Sequence, residues 1–94
     1  MGTLKTKKYS VRYTIENNIV VLDDIEVQKQ YRGQGYGKKA MQRFMDKFTG
    51  RKIELHAFAL DQDTITEKLV LFYEKFGFEI VEGSERTGYE MRNY

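Results

Sequence analysis

The sequence predicts a single α/β domain in which a mixed sheet carries two helices. Short alternating or β-branched segments recur along the chain, as strands require. Two longer segments instead place apolar residues three and four apart, as helices require. Seven Tyr and six Phe supply a compact core for only 94 residues. That length excludes a second core, so residues 1–94 are read as one domain. With 40% hydrophobic and 32% charged residues, the chain does not read as a disordered tail.

Each element has its own signal. Tyr9 to Ile15 alternates and predicts a strand. Glu16-Asn17-Asn18 is turn chemistry, because Asn tolerates left-handed backbone. Ile19 to Val27 is the next strand, and the two form a hairpin. Gln28 to Gly37 is a polar, glycine-rich loop. Lys38 to Phe48 is a helix whose stripe is Ala40, Met41, Phe44, Met45 and Phe48, with Gly50 as its C-cap. Lys52 to Leu60 is a strand and Asp61-Gln62-Asp63 a loop. Thr64 and Glu67 fit the capping box of a second helix, which runs to Phe76 and buries Leu69, Phe72, Tyr73 and Phe76. Gly77 ends it. Phe78 to Val81 is a strand, Glu82 to Thr87 a loop and Tyr89 to Arg92 the last strand.

Composition removes several function classes. Without cysteine there is no disulfide framework, thiolate zinc site or cysteine nucleophile. A lone histidine, His56, argues against a metal site. No apolar run approaches ~18 residues, and none follows the basic N-terminus. A cytoplasmic protein with no membrane partner is therefore expected.

The net charge of +2 conceals alternating blocks. Residues 1–13 hold four bases and no acid, and residues 28–52 hold eight bases against Asp46. Residues 53–94 hold nine acids against four bases. The second basic block contains Arg32-Gly33-Gln34-Gly35-Tyr36-Gly37, between a predicted strand and a predicted helix. Glycines there allow positive φ and close approach to a ligand, and the first helical N–H groups favour an anion. A tight strand-to-helix turn explains three glycines equally well. The spacing is neither a Walker A loop nor a dinucleotide fingerprint, since Lys38 stands where the last Gly belongs.

Val27 to Met41, VQKQYRGQGYGKKAM, resembles the coenzyme A loop of the GNAT superfamily of N-acetyltransferases, whose pattern Gln/Arg-x-x-Gly-x-Gly/Ala is met by Arg32, Gly35 and Gly37. Phe72 to Phe78, FYEKFGF, resembles the family's helix-to-strand segment, in the right order downstream. The resemblance spans residues 19–82 and, more weakly, the whole chain. It implies a GNAT-like mixed sheet with two helices and acetyl-CoA as cofactor. Backbone N–H groups of Arg32, Gly33, Gly35, Gly37 and Lys38 would hold its pyrophosphate. The main chain of Ile25 and Val27 would pair with its pantetheine. With only about eight residues ahead of Tyr9, the chain reads as an N-terminally truncated acetyltransferase core with an open acceptor side. Its length and layout are similar to very short phage acetyltransferases, an anti-CRISPR type among them.

Acetyl transfer to an amine needs a base for the ammonium, donors for the oxyanion and an acid for the thiolate. Without cysteine, direct attack in a ternary complex follows. Tyr73 occupies the family's acid position; its other reading is a core aromatic beside Leu69 and Phe76. Leu22 to Val27, LDDIEV, resembles the Leu-Glu-Asp-hydrophobic segment of polyamine-type members, where the first acid is the base. Asp23 is that residue here, or else an ordinary polar strand residue. Alternation sets it on the face of Ile25 and Val27. His56 is a reserve base or a structural histidine. Thr66 stands where many members have an Asn that bonds the pantetheine region.

The expected acceptor is a lysine or N-terminal amine of a protein, with a phage anti-defence role among the readings. The alternatives are a non-catalytic CoA-binding module and a small-amine acetyltransferase closed by a homodimer. Nucleic acid is not an expected partner, because no recognised motif accompanies the basic N-terminus and the last third is acidic.

Overall fold

The computed structural model describes residues 1–59 and 65–94. They form two compact units, Met1–Arg51 and Lys52–Tyr94. The predicted Asp61–Asp63 loop, the strand end at Leu60 and the capping residue Thr64 lie outside the described residues.

The first unit holds β1 (Gly2–Lys5), β2 (Tyr9–Glu16), β3 (Ile19–Val27), a 3₁₀ turn (Lys29–Tyr31) and α1 (Tyr36–Lys47). Its strands lie in the order β1-β2-β3, and both pairings are antiparallel. The predicted hairpin closes at Glu16 opposite Ile19, across Asn17 (φ 52) and Asn18 (φ 66). Two central residues with positive φ give the turn a twist that matches the strands. β1 has no counterpart among the strands the sequence predicts. Four residues are too few to show a period, and the strand owes its place to pairing with Ser10–Tyr13 on β2.

One face of this sheet buries Tyr9, Val11, Val20 and Leu22. α1 contributes Ala40, Met41 and Phe44, and Phe48 follows at its end. The Tyr13 ring meets Phe48 edge-on at 4.9 Å and lies 6.1 Å from Phe44. Burying a phenylalanine as completely as Phe44 contributes about 1.5–3 kcal/mol, so this stripe anchors α1. α1 starts two residues earlier than expected and stops at Lys47, with Phe48 as its C-cap. Met45 is half-buried at the edge of the stripe. Gly50 sits beyond the cap with φ 79, and Arg51 N–H returns to the Phe48 carbonyl at 3.0 Å.

The second unit holds β4 (Lys52–Ala57), α2 (Thr66–Glu74), β5 (Glu79–Ser84) and β6 (Gly88–Arg92). β6 pairs antiparallel with β4 on one side and β5 on the other. Ile53, Leu55 and Ala57 are buried in strict alternation, with Met91, Val70 and Phe78. β4 ends at Ala57, short of the expected Leu60, and β5 runs past Val81 to Ser84.

α2 differs most from expectation. Ile65 is its N-cap and makes no side-chain cap, which puts Glu67 one position too early for a capping box. The helix ends at Glu74 rather than Phe76. Its buried positions are Thr66 and Val70, one turn apart. Leu69, Phe72, Tyr73 and Phe76 are only half-buried. A helix of nine residues buries a narrow stripe, and the large rings flank it and pack on one another: Phe72 lies 5.3 Å from Tyr73 and 5.4 Å from Phe76. Gly77, with φ 92, ends the helical region as expected.

Candidate active site

The loop between β3 and α1 is wound tightly. Tyr31 N–H bonds the Gln28 carbonyl at 2.9 Å and Arg32 N–H bonds the Lys29 carbonyl at 3.3 Å. The chain then passes through Gly33 (φ 77) and Gly35 (φ 86, ψ 9), and Gly35 is the N-cap of α1. A glycine has no side chain with which to cap the helix. Among the described residues, the N–H groups of Tyr36, Gly37 and Lys38 therefore open the first turn without an intrahelical or side-chain acceptor. No acid lies in that turn. A Cβ placed on Gly33, Gly35 or Gly37 meets nothing within 4 Å. The loop thus presents donors and the positive end of a helix to open space, which fits the diphosphate of a nucleotide cofactor.

Arg32 folds back, and its Nε donates to the Val27 carbonyl at 3.1 Å. Any pantetheine amide pairing with Val27 would share that carbonyl. Ile25 and Val27 are half-buried opposite Val11 and Tyr9, on the α1 face.

Asp23 is not on that face, contrary to simple alternation. Arg12 lies opposite Asp24 while Tyr13 lies opposite Leu22, so Asp23 is the extra residue of a β-bulge. The bulge changes the parity of β3 and turns Asp23 and Asp24 to the face away from α1. There the Thr14 hydroxyl donates to Asp23 Oδ2 at 2.7 Å. Arg12 forms an ion pair with Asp24 at 2.9 Å.

Thr66, Tyr73 and His56 belong to the second unit. Thr66 is buried, and its hydroxyl accepts from Ala59 N–H at 3.2 Å, which braces the start of α2. Tyr73 is half-buried, with Phe72 at 5.3 Å and Phe78 at 6.3 Å, and its carbonyl receives Phe76 N–H at 2.9 Å. His56 Nδ1 meets Glu90 at 2.5 Å and Nε2 meets the Thr87 carbonyl at 3.0 Å. Both ring nitrogens are engaged, one by the Glu90 carboxylate and one by the Thr87 carbonyl, rather than turned toward an incoming amine. His56 ties β4 to the β5–β6 turn, which is the structural reading. A cleft in this unit is lined by Glu67, Val70, Ile80, Glu85 and Tyr89. Burial and then the Glu85 carboxylate raise the Tyr89 phenol above its usual range.

One cluster escaped the sequence reading. Lys8 Nζ, from the β1–β2 turn, donates to the Tyr36 hydroxyl at 2.8 Å. The partners are 28 positions apart, so no local motif joins them. The only signal was the basic block ahead of Arg12.

Residues 2–80 match the family model described as "Acetyltransferase (GNAT) domain". The chain belongs to the GNAT acetyltransferase family. The matched segment runs through both units and contains the cradle, Asp23, Thr66 and Tyr73. The chain is accordingly an N-acetyltransferase that uses acetyl-CoA. Among solved structures, the anti-CRISPR protein AcrVA5 is similar with a TM-score of 0.78 and 26% identity, over 97% of this chain and 95% of that one. Arabidopsis thaliana Naa50, in complex with the bisubstrate analogue CoA-Ac-MVNAL, has a TM-score of 0.68 and 22% identity over 93% of this chain and 65% of its own. Escherichia coli ElaA has a TM-score of 0.71 and 20% identity over 93% of this chain and 60% of its own. The chain thus spans less than two thirds of these last two. A search of curated proteins finds no match. These likenesses show the GNAT-like α/β fold that the sequence predicts. No helix among the described residues is long and apolar enough to cross a membrane.

Proposed function

We propose that this acetyltransferase acts on a protein, at a lysine side chain or N-terminal amine. The carrying observation is the face of the first unit that bears Asp23. Arg12, Asp23 and Glu26 are exposed there, Thr14 and Asp24 are half-buried, and α1 packs on the opposite face. A small amine needs a concave site that buries most of its surface. An exposed, polar face is instead suited to a partner whose own surface completes the enclosure. Exposed Glu79, Glu82, Glu85 and Glu90 in the second unit would draw in a basic patch. The likeness to AcrVA5 over nearly both whole chains supports an anti-defence role. The peptide joined to CoA in the Naa50 complex supports a polypeptide amine as acceptor.

When bound, acetyl-CoA supplies an activated acetyl thioester. The chain's own tasks are then three. The N–H groups of Gly33, Gly35, Gly37 and Lys38 would hold the diphosphate, while the expected Arg32 N–H is instead taken by the Lys29 carbonyl. The Asp23 carboxylate, fixed by Thr14, takes the proton that the attacking ammonium must lose. Tyr73 O–H supplies a proton to the leaving side; a phenol, with pKa about 10, holds that proton at neutral pH.

One free-thiol assay with two acceptor sets tests this reading. Polyamines, aminoglycosides and amino acids form the first set. Cell-lysate protein, with acetylated sites mapped by mass spectrometry, forms the second. Turnover with protein and none with small amines is expected. Efficient acetylation of a free small amine, with protein at background, overturns it.

A further inference from the structure

The cluster around Tyr36 carries an inference about which cofactor the loop selects. Its position is built rather than incidental. The Thr6 hydroxyl accepts from Lys8 N–H at 3.1 Å and from Tyr9 N–H at 3.2 Å. Thr6 N–H bonds the Tyr9 carbonyl at 2.8 Å, and the Lys8 carbonyl receives Gln28 N–H at 2.9 Å. The β1–β2 turn is therefore fastened at both ends, next to the start of the cofactor loop. From it the Lys8 ammonium sits 4.7 Å from the Tyr36 ring centre and 5.6 Å from that of Tyr31. Lys39 sits 4.9 Å from the Tyr36 ring centre. The two tyrosines meet edge-to-face at 5.8 Å, which holds the platform in place.

Two cations thus converge on one residue of the cradle. Among the described residues neither Lys8 nor Lys39 is paired with a carboxylate. Attraction to an aromatic ring leaves most of an ammonium's charge uncompensated, and two such charges repel each other. An anion between them would relieve that repulsion. The hydrogen bond to the Tyr36 hydroxyl raises the Lys8 ammonium above its ordinary range, so Lys8 stays charged at neutral pH.

The diphosphate is already served by backbone N–H groups, which suit a group that must come close to the main chain. Coenzyme A carries one further anion, the phosphomonoester on its ribose 3′-oxygen. A compact ammonium on a long stem suits such a terminal group. Resting on the acetyl-CoA reading, we infer that Lys8 and Lys39, positioned by Tyr36 and Tyr31, bind the 3′-phosphate and make the chain selective for coenzyme A over 3′-dephospho-coenzyme A.

Calorimetric titration of the full chain with each of the two nucleotides tests this without turnover. The wild type binds coenzyme A at least tenfold tighter. Lys8→Met lowers coenzyme A affinity until the two ligands bind within about threefold of each other, with dephospho-coenzyme A affinity unchanged. Lys8→Arg keeps the preference, which separates charge from fold. Thermal melts confirm that each variant is folded. An unchanged preference in Lys8→Met, or equal losses for both ligands, overturns the inference while leaving the cofactor reading intact. Failure of the wild type to bind either nucleotide overturns the cofactor reading and the inference with it.

Discussion

Replacing Gly35 with alanine separates the cradle's chemistry from its backbone geometry. Gly35 has φ 86 and ψ 9, the left-handed region, where a side chain costs about 1–2 kcal/mol. An added Cβ meets nothing within 4 Å, so no steric clash adds to that cost. For a chain of this size the loss lowers Tm by between about 4 and 16 °C. Gly35 is also the N-cap of α1, next to the first-turn N–H groups proposed to hold the diphosphate, so a side chain there would compete for that space. Acetyl-CoA affinity should fall at least tenfold, a loss of about 1.4 kcal/mol. Gly50 is the natural control. Its φ is 79, its Cβ position is equally open, and it lies beyond the far end of α1. Gly50→Ala should match Gly35→Ala in the thermal melt and the wild type in calorimetric titration with acetyl-CoA. Wild-type affinity in Gly35→Ala, or an equal loss of affinity in Gly50→Ala, refutes the reasoning.

Three further outcomes are expected. Tyr73→Phe lowers kcat by roughly 10²–10⁴ with acetyl-CoA affinity unchanged, measured by free-thiol kinetics and titration; a wild-type rate returns Tyr73 to a packing role. Asp23→Asn moves the pH–rate profile upward, because a lysine acceptor with pKa about 10.4 must then lose its proton to solvent, whereas Asp24→Asn leaves the profile where it was. Asn18→Gly, at φ 66 in the two-residue turn, raises Tm, since Gly takes positive φ without a side-chain penalty; a lower Tm contradicts the turn geometry.

Periodicity revealed the elements it governs. β2, β3 and α1 are long enough for their apolar residues to repeat, and each lies within two residues of its expected bounds. The turn at Asn17-Asn18 was legible because few residue types accept positive φ. β1 was not, because its place depends on pairing with β2 rather than on its own pattern. α2 was misread for a related reason. Phe72, Tyr73 and Phe76 look like core residues by chemistry, yet Thr66 and Val70 take the buried line and the rings take its flanks. The cradle was legible as a motif, since glycines mark it locally. The Lys8–Tyr36 contact was not, because it joins a turn and a helix start far apart in sequence.

The bulge in β3 shows most clearly where pattern and chemistry part. One extra residue places two adjacent carboxylates on the same face, and strict alternation would have separated them. Their partners then make them unlike. Asp24 is committed to the Arg12 guanidinium. Asp23 accepts from the neutral Thr14 hydroxyl at Oδ2, and among the described residues Oδ1 has no partner. A carboxylate fixed in orientation by a neutral donor at one oxygen has the other to offer an ammonium. One locked in an ion pair would first have to give up its cation. The same contrast explains why His56 serves structure instead. Both its nitrogens already point at acceptors. If Asp23 is the base, then, its selection rests on the bulge that turns it to the open face and on the Arg12 partner that removes its neighbour from competition.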